Sequence, residues 1–309
     1  MVLKLILFLD DLPKKYKSAL FLSKTIRTDT SKNGKKSIIG LAILDKEFFV
    51  VYEENSEVEV YDSIQLSLNR RLDVTGLFHP RDIGSCNQNK CLYIFSCKFP
   101  RHSHEILRVD RNGNLIKKWS TGDDYGFGLF VTDEMNVILA VFNENKLNEY
   151  SSDGQLIREI ILSSHAGISY PFKAIKLTNG HFVVSHGYDD NDELHRVCAV
   201  DVNGKLKKTF GGKLGSTIGK MHYPVDLSVD GNGFIFVADR LNSRVLLLDS
   251  DLKFTREILS KDKHGLRRPS KILLDKSNGR LFVADNELNN NRIVVFDFSR
   301  QITRRQTIA

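Results

Sequence analysis

The chain is short of the residues that would tie it to several common protein plans. It has four cysteines in 309 residues, too few for a disulfide scaffold of this length. Cys86, Cys91, Cys97 and Cys198 therefore read as reduced thiols, although Cys86 and Cys91 bracket the short turn Asn87-Gln-Asn-Lys90 and could face each other across a hairpin. No apolar run approaches the ~20 residues needed to span a bilayer as a helix. The apolar start, Met1 to Leu9, has no basic stretch before it. Asp10-Asp11 follow where a small-residue cleavage site would belong, so it reads as a strand rather than a leader. No segment shows a helical period of the length that a parallel βαβ sheet would require. A Gly-x-Ser-x-Gly elbow is missing. Gly215-Ser-Thr-Ile-Gly-Lys220 is one residue short of a phosphate loop and is followed by Met221 instead of Ser or Thr. The acidic run Asp189-Asp-Asn-Asp-Glu193 lacks the glycine and distal glutamate of an EF-hand and reads as a solvated loop.

Charge is abundant but unevenly placed. The formal net charge is +7, of which residues 1–36 contribute +6 and the tail beyond Phe298 contributes +3. The body between them carries −2. The basic character belongs to the ends, which argues against the body as a uniform clamp for a polyanion.

The informative feature is a repeat. Tyr223-Pro-Val-Asp-Leu-Ser-Val-Asp-Gly-Asn-Gly-Phe-Ile-Phe-Val-Ala-Asp239, followed by Arg-Leu-Asn-Ser-Arg-Val-Leu-Leu-Leu-Asp249, aligns with Arg268-Pro-Ser-Lys to Val283-Ala-Asp285 and then Asn291-Arg-Ile-Val-Val-Phe-Asp297. Apolar strands containing Val51, Phe95, Ala140, Val184, Val237 and Val283 recur at steps of 44, 45, 44, 53 and 46 residues. The long step holds the insert Gly211-Gly-Lys-Leu-Gly-Ser-Thr-Ile-Gly219. Each unit before the last contains four short runs rich in β-branched and aromatic residues; in the fifth they are Asp226–Val229, Phe234–Ala238, Val245–Leu248 and Phe254–Leu259. Turn chemistry separates the runs. Four antiparallel strands per unit of about 45 residues describe a propeller blade. The expected fold is all-β: a six-bladed β-propeller of four-stranded antiparallel blades over 37–298. Residues 1–36 form a basic N-terminal segment and 299–309 a basic tail. The sixth unit has three strands, so its fourth must come from a terminus. Ser18–Ser23 is preferred over Gln301–Ile308.

The order Pro-x-Asp, Asp-Gly-Asn-Gly, Val-Ala-Asp, Asn-x-Arg-Val and a strand ending in Asp resembles the NHL-repeat family. Pro224 to Asp249 matches throughout and Pro269 to Asp297 matches most of it. The earlier units echo it at Pro80-Arg-Asp82, Asp110-Arg-Asn-Gly113, Ser152-Asp-Gly154 and Asp201-Val-Asn-Gly204. The resemblance is to the C-terminal NHL domain of tripartite-motif ubiquitin ligases, which implies recognition of substrate proteins or of single-stranded RNA. The chain itself lacks the Cys/His spacing of a RING or B-box. A second class of similar propellers, the peptidyl-hydroxyglycine lyases, implies channel histidines holding zinc. Here the histidines sit at unequal offsets from the blade prolines: His79 directly precedes Pro80, His222 is two before Pro224, and Pro171 and Pro269 have no such neighbour. Convergence of three ligands is therefore not expected.

The set Asp239, Asn242, Arg244 recurs as Asp285, Asn290 or Asn291, and Arg292. Repetition in successive blades points to structure, an arginine tying a strand end to a neighbouring loop, and away from catalysis. Propellers bind through loops at one end of the ring. The partner-binding residues expected there are Lys98, Arg101, Lys213, Lys220, Tyr223, Arg240, Lys261, Lys263, Arg267 and Arg268. Acidic sectors near Glu53, Glu54, Glu57, Asp123, Asp124 and 189–193 make that face split in charge. A split face suits a protein or peptide partner. The functional expectation is a non-catalytic, cytoplasmic, monomeric binding module with no cofactor, no metal and no membrane association. Single-stranded RNA binding and a channel-metal lyase or hydrolase are the alternatives.

Overall fold

A strand that is apolar at consecutive positions, such as Phe48-Phe-Val-Val51, has no face to give to water and must be covered on both sides. The structure, a computed structural model, shows how. It describes residue 16 and residues 21–27, 37–98, 103–162, 167–187, 194–287 and 290–298. In chain order the strands are β1 (Phe21–Arg27); β2 (Ile38–Leu44), β3 (Glu47–Tyr52), β4 (Glu57–Asp62), β5 (Leu68–Asp73); β6 (Pro80–Cys86), β7 (Cys91–Lys98), β8 (Ser103–Asp110), β9 (Leu115–Gly122); β10 (Gly126–Val131), β11 (Val137–Val141), β12 (Lys146–Tyr150), β13 (Leu156–Ile161); β14 (Pro171–Lys176), β15 (Phe182–His186), β16 (His195–Val200), β17 (Leu206–Gly212); β18 (Pro224–Val229), β19 (Ile235–Asp239), β20 (Arg244–Leu248), β21 (Phe254–Ser260); and β22 (Pro269–Asp275), β23 (Arg280–Glu287), β24 (Asn290–Asp297). They form six four-stranded antiparallel sheets, the blades of a six-bladed β-propeller.

Burial changes across each blade, and composition follows it. Second strands such as β3 and β19 are buried at every position. Fourth strands such as β13 expose most of their residues. The apolar core consists of six clusters, one at each seam between neighbouring blades; Leu44, Phe49, Val60, Ile94 and Leu107, for example, join the first blade to the second. Fully burying each such side chain stabilises by about 1.5–3 kcal/mol.

The outer turns are built by side chains. Asp110, Asp201 and Asp249, at or just after the end of a third strand, each accept two amides through Oδ1, two and four residues ahead, at 2.8–3.1 Å. Ser151 does the same in the third blade. A carboxylate or hydroxyl that satisfies turn amides is why a strand ending in Asp repeats along the chain.

The sixth blade has β1 as its outer strand, paired antiparallel with β24 from Phe21 opposite Asp297 to Arg27 opposite Arg292. It overlaps the run Ser18–Ser23 and extends beyond it. Two further links close the ring. The Asn286 carboxamide accepts from the Ile38 amide (3.1 Å) and donates to its carbonyl (2.7 Å). The Arg280 guanidinium donates to Asp297 and to the carbonyls of Ser63 and Ile64. Tyr16 is buried between Phe234, Phe236 and Phe298, and its hydroxyl donates to Asp230 at 2.7 Å. The start at 1–9, the tail Gln301–Ile308, Arg101 and the acidic run 189–193 lie outside the described residues.

Candidate functional site

Every inner strand carries a register shift at the same place, between Ile38 and Gly40, Pro80 and Asp82, Gly126 and Gly128, Pro171 and Lys173, Pro224 and Asp226, and Pro269 and Lys271. A bulge re-aims side chains. It leaves Gly40, Asp82, Gly128, Lys173, Asp226 and Lys271 at one level of the ring. A Cβ on Gly128 would collide with the Phe172 carbonyl and the Lys173 stem, and one on Gly40 would meet Ile83. Glycine there lets the next inner strand approach.

The four charged members meet across the channel. Lys173 Nζ lies 2.7 Å from Asp82 and 3.8 Å from Asp226 and donates to the Leu129 carbonyl; Lys271 Nζ lies 3.2 Å from Asp82. Each aspartate also accepts the amide of the following inner strand, Leu129 for Asp82 (2.8 Å) and Ile272 for Asp226 (2.7 Å). The two carboxyls differ. Burial works to raise the Asp82 pKa, but Lys173, Lys271 and the Leu129 amide outweigh it and hold the group below its ordinary value. For Asp226 burial prevails and the pKa rises. The Lys173 ammonium is also desolvated, yet the two carboxylates hold it above the usual lysine value.

This buried cluster separates two cavities, each about 180 Å³, that both touch Lys271. The one at the mouth is lined by the residue just before each bulge position: Ile39, Arg81, Phe127, Phe172, Val225 and Ser270. Arg240, Glu53 and Tyr223 complete its wall. Arg81 pairs with Glu53 at 3.2 Å and lies over the rings of Tyr125 and Phe127. Arg240 opens a short 3-10 turn after β19, its amide donating to the Tyr223 carbonyl and its guanidinium lying 5.7 Å from the Tyr223 ring centre. Tyr223 itself has φ +62 directly before Pro224, as do His79 (φ +33) before Pro80 and Tyr170 (φ +51) before Pro171. A left-handed residue costs strain of about 1–3 kcal/mol when it is not glycine. Here it swings the entering chain so that the Tyr223 ring faces Phe172 at 5.1 Å.

The expected site residues divide. Arg240 and Tyr223 line the mouth, and Arg268 is close enough to Arg240 to act on its charge. Lys213, Lys220, Lys261 and Lys263 are exposed on the connections of the same face, the last two in the single helical turn Lys261–His264. Arg267 is held by Glu287 at 2.5 Å. Lys98 ends β7, and Arg101 is outside the described residues. Phe127, Phe172, Lys173 and Lys271 were not anticipated. Their only sequence signal is their offset from the blade start, which has no chemical signature until the ring closes.

The Asp–Asn–Arg set is an anchor. Asp239 accepts the His222 amide (2.8 Å), Asn242 (2.8 Å) and Arg244 (2.7 Å); Arg244 donates onward to the carbonyls of Ser216 and Lys220. Asp285 holds the amides of Arg267 and Arg268, and Arg292 ties it to the Gly265 carbonyl. In the second blade Ser96 holds Phe78 in the same way. In the fourth, His186 takes the position and accepts from Arg196 Nε at 3.0 Å. Cys86 and Cys91 face each other in register, and all four cysteines are free. Among the described residues no three His, Cys, Asp or Glu side chains are grouped to hold a metal, and no helix is long and apolar enough to cross a membrane.

No protein-family model matches the chain, and no curated protein matches it by sequence. Solved structures do. Virginiamycin B lyase from Staphylococcus aureus is 12% identical with a TM-score of 0.58, over 86% of this chain and 82% of that one. Kuenenia stuttgartiensis hydrazine synthase is 13% identical with a TM-score of 0.57, over 87% and 98%. A Bacteroides caccae protein of unknown function is 14% identical with a TM-score of 0.56, over 76% and 85%. At these identities the likeness shows the fold, a six-bladed β-propeller. The resemblance to NHL repeats rests on the motifs alone.

Proposed function

We propose that this chain is a non-catalytic binding module that recognises a protein or peptide partner through the face holding the channel mouth, as NHL-type ubiquitin ligases recognise substrates. The observation that carries the reading is the mouth itself: a cavity walled by Arg81, Arg240, Phe127, Phe172 and Tyr223 above a closed ionic floor. Exposed Lys213, Lys220, Lys261, Lys263 and Arg268 surround it and would steer an acidic partner. The four free, buried cysteines fit a reducing, cytoplasmic setting.

Single-stranded RNA is the second reading, favoured by the same exposed cations together with Tyr170, which is 42% exposed. RNA recognition needs open ring faces for base stacking. The rings here are largely packed against one another: Tyr125 on Phe127, Phe127 on Phe142, Phe142 on Tyr170 and Phe172 on Tyr223, all near 5 Å. That arrangement favours a protein partner.

The test is selection of randomised peptides and of a randomised single-stranded RNA pool on the full chain at physiological salt. The control is the quadruple change Lys261→Glu, Lys263→Glu, Arg267→Glu, Arg268→Glu. A peptide consensus weakened by that variant supports the proposal. Selective RNA enrichment that the variant abolishes, with a log–log salt slope of about −0.7 per phosphate neutralised, overturns it.

A further inference from the structure

Arg240 is a half-buried guanidinium beside the Tyr223 ring, with no ion pair of its own. Among the described residues no acceptor lies within hydrogen-bonding distance of its side chain and no carboxylate within 4.0 Å. Its burial, and the nearby Arg268 cation, hold it below the ordinary arginine pKa against the opposing pull of Tyr223 and the more distant Glu53. Four other arginines of these loops are committed elsewhere, Arg81 to Glu53, Arg244 to Asp239, Arg267 to Glu287 and Arg292 to Asp285, while Arg268 is exposed to solvent. A desolvated, unpaired cation costs stability, and such costs concentrate where a ligand will complete the arrangement.

The cavity sets the chemistry of that ligand. Its floor sets two lysines against two aspartates. Glu53 cancels Arg81. One cation is left over within the wall, so a singly charged anion matches it and a dianion would crowd Glu53. The guanidinium fork suits a planar carboxylate, and the Tyr223 ring lies against it. A volume of about 180 Å³ admits one side chain or one chain end. The walls Ile39, Phe127, Phe172 and Val225 are apolar and would pack the methylenes behind the charged group.

We propose that the channel mouth is a carboxylate-binding site, centred on Arg240, that takes one acidic side chain or the C-terminal carboxylate of a peptide. The proposal rests on the protein-recognition reading above. Two pools of short randomised peptides, one with free and one with amidated C-termini, would be selected on the full chain at physiological salt. An Asp or Glu enriched at one fixed position in both pools identifies a side chain as the ligand. Enrichment confined to the free-acid pool identifies the chain end. In either case Arg240→Gln lowers affinity about tenfold or more, the scale of one charge-assisted hydrogen bond. Arg240→Lys restores only part, because the fork is lost. Arg240→Gln melts at or above the parent temperature, since it removes an unpaired cation, so its loss of binding is not a loss of fold. Peptides enriched with no fixed acidic position, or bound equally by Arg240→Gln, overturn the carboxylate site and leave protein recognition standing. Enrichment of RNA and of no peptide overturns both.

Discussion

The fourth and fifth blades make the same junction with different chemistry. At the end of the second strand the fifth blade places Asp239, paired across the sheet with Arg244; the fourth places His186, paired with Arg196. Asp239 is fully buried and gathers three donors. Burial raises its pKa despite Asn242, the His222 amide and Arg244. His186 is equally buried but accepts Arg196 Nε on Nε2, so its proton is on Nδ1. Burial, reinforced by the Arg196 cation, lowers its pKa to about 3. The junction needs an acceptor in place; whether that acceptor carries charge is decided blade by blade. What differs is the response to losing it, and to acid.

The sharpest way to break the comparison is Asp239→Ala. It strands Arg244 and frees the His222 amide, and should cost about 3–5 kcal/mol in chemical denaturation. Asp239→Asn keeps an acceptor and should cost less. A loss under 1 kcal/mol for the alanine variant would mean the anchor is decorative.

The two channel aspartates extend the contrast to equal residues in unequal settings. Asp82 is held low by two lysines, so its pairing contributes above the ordinary carboxyl pKa and is lost as pH falls through the folded value. Asp226 is raised, so its ionisation costs stability as pH rises through its folded value. Asp82→Asn should therefore lose about 2–3 kcal/mol at neutral pH, and Asp226→Asn less than about 1 kcal/mol or even gain. Equal losses would show that the cluster shares its charge evenly.

Acid distinguishes the blades directly. With an unfolded value of 6.5 and a folded value of about 3 for His186, its contribution is whole above pH 6.5 and drains as pH falls toward 3. Each pH unit is worth about 1.4 kcal/mol once the unfolded imidazole is protonated, so stability should drop by about 2 kcal/mol by pH 5. His186→Gln should remove that slope from a pH series of denaturation midpoints. A small effect of the same kind is expected for Ser96→Ala in the second blade. It removes one hydroxyl that both accepts from and donates to Phe78, at about 1 kcal/mol in the same assay.

The motifs that stand out in the chain are those whose partners are local. The Asp249 turn closes within four residues and the Asp239–Arg244 pair within five, so the same residues repeat in the same order and can be read as a period. The second strands are legible because burial on both sides leaves continuous apolar runs. The fourth blade hid its kinship because His186 replaces the aspartate that marks the later blades. Tyr223 and Arg240 were legible as candidates from their place at a blade entrance. Their arrangement into one cavity with Arg81 and Phe127 was not, since those residues come from three blades and share no local pattern.

By itself the amino-acid sequence determined six β units, their four-strand make-up, their turns and the shortfall in the last one, because hydrogen-bonding needs and burial act over a few residues. Tertiary structure alone decided the channel. Lys271 of the sixth blade meets Asp82 of the second past the first blade, 189 positions away in the chain. A charge at the third residue of an inner strand has no partner until six bulges bring that residue to one level and β1 closes the circle.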